Sequence, residues 1–177
     1  AGQPTGDAVN QLKAMAPAVK IIGGDQAVYE HVDIRTGTAF GTTDTYNGVF
    51  AGNSQKAIDL RTAVLLAWPR EEIIEKIVKP INPSAQLMNS LMYFNSEPGY
   101  KDIITKSGVS KFTEGTQASR NAKALALVQK YFPETTAAKP TVKIKLLFGQ
   151  PSNVRRVAEA ALAKASVAQA GFDMDVA

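Results

Sequence analysis

The segment Thr141-Val142-Lys143-Ile144-Lys145-Leu146-Leu147-Phe148, followed by residues 152–168 and then Gly171-Phe172-Asp173-Met174-Asp175-Val176, decides the fold class of this chain. In its first part Val142, Ile144, Leu146 and Phe148 share one side and Lys143 and Lys145 the other, which is the period of a strand. Ser152 is placed to cap a helix whose apolar residues are Val154, Val157, Ala158, Ala161, Leu162, Ala165 and Ala168. Gly171 stands where helices end, and alternation resumes from Phe172 to Val176. Strand, helix and strand in that order make a βαβ unit. The sequence therefore predicts an α/β protein with a parallel strand pair.

Upstream, residues 56–74 read as two helices meeting at Pro69. Ala57, Leu60, Val64, Ala67 and Trp68 fall on one helical face. Pro69 cannot continue that helix but suits the start of the next. There Glu71 and Glu72 meet the positive end of the helix dipole, and Ile73, Ile74, Ile77 and Val78 form an apolar side. Residues 117–132 form a further helix, with Ala124, Leu125, Val128, Tyr131 and Phe132 on one face. Residues 7–16 read as a short helix bounded by Pro17. Residues 19–22 and 26–35 read as strands joined by the turn Gly23-Gly24-Asp25, hence a hairpin. Residues 36–54 are rich in Gly, Thr, Asn and Asp and read as loop, with one extended piece near Tyr46. Residues 81–115 carry Pro83, Pro98, Gly99, Gly108 and Gly115 and read as mostly loop with one-turn helices, a length usually tied to binding or packing.

The totals narrow the class. A chain of 177 residues with 45% apolar and 20% charged residues can bury one core, so residues 1–177 are read as a single domain. The longest apolar run, residues 63–68, is too short to cross a bilayer. With no cysteine there is no disulfide, thiolate metal site or cysteine nucleophile. The net charge of +4 is spread among interleaved acids, and no segment matches a nucleic-acid module, so no nucleic-acid partner is expected. The opening Ala1-Gly2-Gln3-Pro4-Thr5-Gly6 has no initiator Met and no apolar leader, and the last strand stops in mid-pattern. The chain reads as a piece of something longer.

Candidate chemistry is sparse. His31 is the only histidine and shares a strand face with Tyr29, Asp33 and Arg35. With no GxSxG elbow and no cysteine, it reads as structural or surface, leaving a small hydrolase built on His31 and Asp33 as the enzymatic alternative. Arg61, among apolar neighbours, either pairs with an acid inside the domain or points into a ligand cleft. The loop Tyr46-Asn47-Gly48-Val49-Phe50-Ala51-Gly52-Asn53 mixes amides, aromatics and flexible glycines, which suits recognition of a polar ligand. Gln150-Pro151-Ser152-Asn153 lies at a strand-to-helix turn, the part of an open α/β sheet that borders ligand clefts. Asn47, Phe50, Asn53, Gln150 and Asn153 are accordingly the candidate ligand-binding residues. No catalytic residue, metal site or cofactor is assigned.

Several of these blocks, in order, resemble the peptide/nickel-type extracellular solute-binding proteins of bacterial ABC importers. That family carries an Arg-x-Ala-hydrophobic-x-x-Ala-hydrophobic-Asp-Arg block leading into a helix. Its counterpart is Arg61-Thr62-Ala63-Val64-Leu65-Leu66-Ala67-Trp68-Pro69-Arg70, with Pro69 where the family usually has Asp. Asn121-Ala122-Lys123-Ala124-Leu125-Ala126-Leu127 is similar to the family's Ala-Lys-x-Leu-Leu helix. Residues 143–148, Asn153, residues 154–168 and residues 171–176 look like its closing strand, Asn-containing turn, long helix and Gly-led strand. Tyr29-Glu30-His31-Val32-Asp33-Ile34-Arg35 resembles the entry to the same lobe.

The resemblance implies a periplasmic-binding-protein-like lobe, a mixed sheet flanked by helices with the C-terminal βαβ unit. It would be the second lobe of a two-lobe protein, trimmed at both ends. It further implies a non-enzymatic, ligand-binding role in oligopeptide or dipeptide uptake, with nickel, a sugar or another solute as alternative ligands of the same fold. The implied partners are a peptide, which needs the missing first lobe, and the ABC permease subunits. The implied location is extracellular or cell-envelope, periplasmic or as a lipoprotein whose membrane anchor lies outside these residues.

Overall fold

The computed structural model describes residues 4–22, 30–37 and 44–177. Helix α1 spans Gly6–Ala14, with Thr5 accepting a hydrogen bond from the Ala8 amide, Asp7 in its first turn and Lys13 in its last. Helix α2 spans Gln55–Ala67, capped by Ser54, whose hydroxyl accepts from the Ala57 amide. The chain then bends at Trp68, and Pro69 takes the cap position of α3, Arg70–Ile73. This helix widens into a π turn over Ile74–Val78, closed by the Lys79 amide donating to the Ile74 carbonyl at 2.8 Å. Helix α4 spans Tyr100–Ser107, between glycines 99 and 108 that both sit at positive φ, and a 3-10 turn follows over Val109–Phe112. Helix α5 spans Gln117–Gln129, strand β1 Val142–Leu146, helix α6 Val154–Ala168 and strand β2 Phe172–Val176.

The two strands are parallel, in register from Val142 opposite Phe172 to Leu146 opposite Val176. The expected βαβ unit is present. Gly171 makes it possible: its φ is +87°, and a Cβ there would stand 2.2 Å from Thr135 Cγ2. Only glycine tolerates both the dihedral and the contact. The core gathers Leu60, Ala63, Val64, Leu66 and Ala67 of α2, Ala124 and Val128 of α5, Val167 of α6, then Ala170, and Val142, Phe172 and Met174 of the sheet.

Four sequence expectations change. Residues 19–22 and 30–35 form no strand, and the turn Gly23-Gly24-Asp25 falls outside the described residues, as do residues 26–29 of the second predicted strand. Residues 81–115 contain a two-turn helix, α4, where only single turns were expected. The sheet is not mixed among the described residues: it has two parallel strands and helices on one side only. Lys143, Lys145, Asp173 and Asp175 line the opposite side, exposed, with opposite charges facing each other across the strands.

The fourth change is the orientation of α6. Its buried residues are Ala160, Ala163, Ser166 and Val167, whereas Val154 is 67% and Val157 48% exposed. At 100° per residue the predicted apolar stripe lies roughly opposite the buried one. Close packing explains the rotation. The Ser166 hydroxyl lies 2.8 Å from the Ala67 carbonyl at the end of α2. Such an approach admits alanine and serine at the contact, and the bulkier valines of the first turns are turned outward.

Buried polar groups close the ends of the helices. Because Pro69 has no N–H and α2 stops at Ala67, the last carbonyls of α2 have no helical partner. Gln117 Nε2 donates to the Leu66 carbonyl at 3.1 Å and to Asn121 Oδ1 at 2.8 Å. Ser166 takes the Ala67 carbonyl and accepts from Asn121 Nδ2 at 3.4 Å. Three helices are thus tied at the point where the sequence breaks one of them.

Candidate functional site

The five candidate residues divide between two places. Asn47, Phe50 and Asn53 lie on the loop before α2. There Phe50 leans on the core, its ring centroid 6.2 Å from that of Phe172 at the start of β2. Gln150 and Asn153 follow the far end of β1. Phe172 is in register with Val142, so the strand length of about 13 Å separates the two groups. The structure does not bring them into one site.

The first loop is fastened in place. Arg61 Nη1 donates to the Phe50 carbonyl at 2.6 Å and the Gly52 carbonyl at 2.7 Å. Of the two sequence readings of Arg61, neither holds as stated: it pairs inside the domain, with backbone carbonyls in place of an acid. Arg35 Nε donates to both oxygens of Asp44, at 2.8 and 2.7 Å, and its guanidinium lies 5.7 Å from the Tyr46 ring centre. That pairing holds the Asp44 carboxyl below its ordinary range. Charge-assisted bonds thus hold the loop at both ends.

The second place carries more charge. Gln150 adopts a φ of +62°, a conformation costing a non-glycine residue about 1–3 kcal/mol. Asn153, and not Ser152, caps α6: its Oδ1 accepts from the amides of Arg155 at 3.1 Å and Arg156 at 3.3 Å. The two arginines, adjacent on the first turn, meet Glu30 from the segment far earlier in the chain. Arg155 Nη2 donates to Glu30 Oε2, and Arg156 Nε stands 3.4 Å from Glu30 Oε1. Arg156 Nη1 also donates to the Gly149 carbonyl at 3.1 Å. One turn on, Glu159 Oε1 lies 3.5 Å from Arg155 Nε. Burial, and then the nearby Glu30 charge, push the Glu159 carboxyl above its ordinary value, although both arginines oppose the shift.

A third place was not singled out from the sequence. A cleft of about 200 Å³ is lined by Glu71, Ile74, Glu75, Lys79, Ala85, Gln86 and Leu87, along α3 and its π turn. None of the five candidate residues lines it. Glu71, expected only at the positive end of the helix dipole, also takes a buried partner: Arg120 Nη2 donates to its Oε2 at 2.6 Å. Arg120 is 2% exposed and also donates to the Thr113 and Gly115 carbonyls and to Gln117. The signal for it was present in α5, where Arg120, Asn121, Ala124 and Val128 share the buried face. A charge on that face requires a buried partner. Glu72 and Glu75 instead pair with Lys76 and Lys79 one turn along. Beside the cleft Arg70 donates to Asn89 Oδ1 and to the Phe112 carbonyl, and burial lowers its pKa.

His31 Nε2 and Asp33 Oδ2 stand 3.4 Å apart, both largely in water. No group of three His, Asp or Glu side chains able to hold a metal ion occurs among the described residues. Among those residues no helix is long and apolar enough to cross a membrane. No family model, curated protein or solved structure matches the chain significantly.

Proposed function

We propose that this chain is the ligand-capturing second lobe of an extracellular solute-binding protein that feeds peptides to an ABC importer, and that it performs no covalent chemistry. The observation that carries the reading is α6, which is apolar on two opposite sides. Ala160, Ala163 and Val167 pack on the core, while Val154, Val157, Ala161 and Ala165 face outward, exposed. An apolar stripe facing outward on a helix is a surface that a further packed element can cover. The sheet beneath it has no third strand on either outer edge among the described residues. Both features suit a lobe whose remaining strands and helices come from elsewhere in a two-lobe protein.

The reading is supported by the resemblance of the blocks around Arg61, Asn121 and Asn153 to that family, and Gln150 and Asn153 sit at the sheet end where α/β proteins take ligands. Capture follows from closure: a cleft wall of this kind holds ligand only when the opposite lobe buries it. Nickel or a sugar as ligand remains an alternative within the same architecture. In this reading the protein works at the cell envelope, docks on permease subunits and reaches the membrane only through an anchor outside these residues.

The test is calorimetry against a peptide library, with the longer polypeptide that carries this chain and then with the chain alone. Saturable peptide binding by the longer form and none by the chain alone is expected. Turnover of the peptides, or tight binding by the chain alone, overturns the proposal.

A further inference from the structure

We infer that Arg155 and Arg156 form a carboxylate-binding site, filled in this structure by Glu30 of the same chain, and that an external carboxylate competes with Glu30 for it. The inference stands on this cluster alone and does not depend on the transport reading. The helix-end amides are not the receptor, because Asn153 already occupies those of Arg155 and Arg156. What remains are two guanidiniums side by side, a pair suited to the two oxygens of one carboxylate.

Glu30 fits this pair incompletely. It accepts one hydrogen bond from Arg155 and reaches Arg156 only as an ion pair at 3.4 Å. Among the described residues the Nε atoms of both arginines, and Oε1 of Glu159, are buried without a hydrogen-bond partner. Each Nε has a carboxylate beside it, Glu159 for Arg155 at 3.5 Å and Glu30 for Arg156 at 3.4 Å, without hydrogen-bond alignment, so a better-aligned carboxylate gains bonds the resident ones do not make. The anchoring side is firm: the Arg155 and Glu159 side chains are 16% and 13% exposed, and Arg156 is tied to the Gly149 carbonyl. The occupying side is more open to solvent, since Glu30 is more exposed and comes from a segment without helix or strand. With Glu30 swung away, two guanidiniums face the single carboxylate of Glu159, leaving one positive charge. That balance admits one carboxylate and disfavours a second anion. Leu147 and Val154, both exposed on the flanks of the turn, offer apolar contact for the carbon skeleton of the ligand.

The chemistry is shared by small organic acids and by the C-terminus of a peptide, so the probes separate them. Succinate, trialanine with a free C-terminus and trialanine amide are each titrated into the whole chain, following the arginine Nε–H resonances by NMR. In the wild-type chain succinate should shift the Arg155 and Arg156 signals saturably. Glu30→Gln removes the competitor and should lower the apparent Kd by about tenfold or more. Free trialanine binding where its amide does not assigns the site to peptide C-termini, whereas succinate alone assigns it to small acids. No saturable shift in the Glu30→Gln chain overturns the inference. So does equal succinate binding after Arg156→Met, with folding of each variant verified by circular dichroism.

Discussion

Replacing Ser166 with Ala sets local helix preference against the tertiary network, and the two predict opposite signs. Ser166 lies inside α6, where alanine is the better helix former by about 0.5 kcal/mol. On that ground alone the variant should be slightly more stable. In the folded chain, however, the Ser166 hydroxyl donates to the Ala67 carbonyl at 2.8 Å, and Ala67 has no solvent access. Without the hydroxyl that carbonyl is a buried acceptor with no donor, at a cost of about 1–3 kcal/mol. Pro69 and the bend at Trp68 remove any helical substitute. The net expectation is a loss of about 1–2 kcal/mol, which for a chain of this size lowers Tm by about 2–8 °C. Trp68, the only tryptophan, adjoins the affected carbonyl and reports unfolding by fluorescence alongside circular dichroism. An unchanged or raised Tm would refute the argument that α6 is held against the end of α2 by this bond.

Gly171→Ala should destabilise by more than about 1 kcal/mol, where an alanine at a compatible glycine site would stabilise. Its φ of +87° and the 2.2 Å approach to Thr135 Cγ2 are the reason, and thermal melting reads the sign. Arg61→Met should lower stability by about 1.5–3 kcal/mol, the worth of charged hydrogen bonds. It should also speed amide exchange at Gly52, which donates to the Thr36 carbonyl at 2.9 Å. Unchanged exchange there would detach Arg61 from the loop's order.

Asp59 gives a pH signature. Hydrogen bonds from Gln55 and Tyr131, with Lys130 at 3.4 Å, hold its carboxyl below the ordinary value of 3.8. A folded pKa below the unfolded one adds stability that is full above the unfolded value and disappears as pH falls through the folded one. The stability gap between wild type and Asp59→Asn should therefore be constant near neutrality and close below about pH 4. A gap that persists at lower pH would contradict the assignment.

Much of the local structure was legible because it is written in neighbouring residues. Pro69 breaks one helix and opens the next, as its missing N–H requires. The alternation of residues 142–146 and 172–176 announces the strands, and Gly171 between helix and strand announces the turn. The charges at Lys143, Lys145, Asp173 and Asp175 were also a record, in the sequence, of a sheet side left in water. The candidate site was less legible. Loop composition put Asn47, Phe50, Asn53, Gln150 and Asn153 on one list, but proximity between loops depends on register and strand length, which composition does not encode.

By itself, then, the sequence determined the helices α1, α2, α5 and α6 and the βαβ order, since these follow from backbone preference and periodicity within a few residues. Only the tertiary structure decided which side of α6 is buried, that Arg120 lies beneath Glu71, and that Glu30 reaches across to Arg155 and Arg156. The physical reason is the same in each case. A helix with apolar residues on two sides has two acceptable burials, and a charge has many possible partners. The choice falls to close packing and to carbonyls left unpaired at helix ends, which exist only once the elements have met.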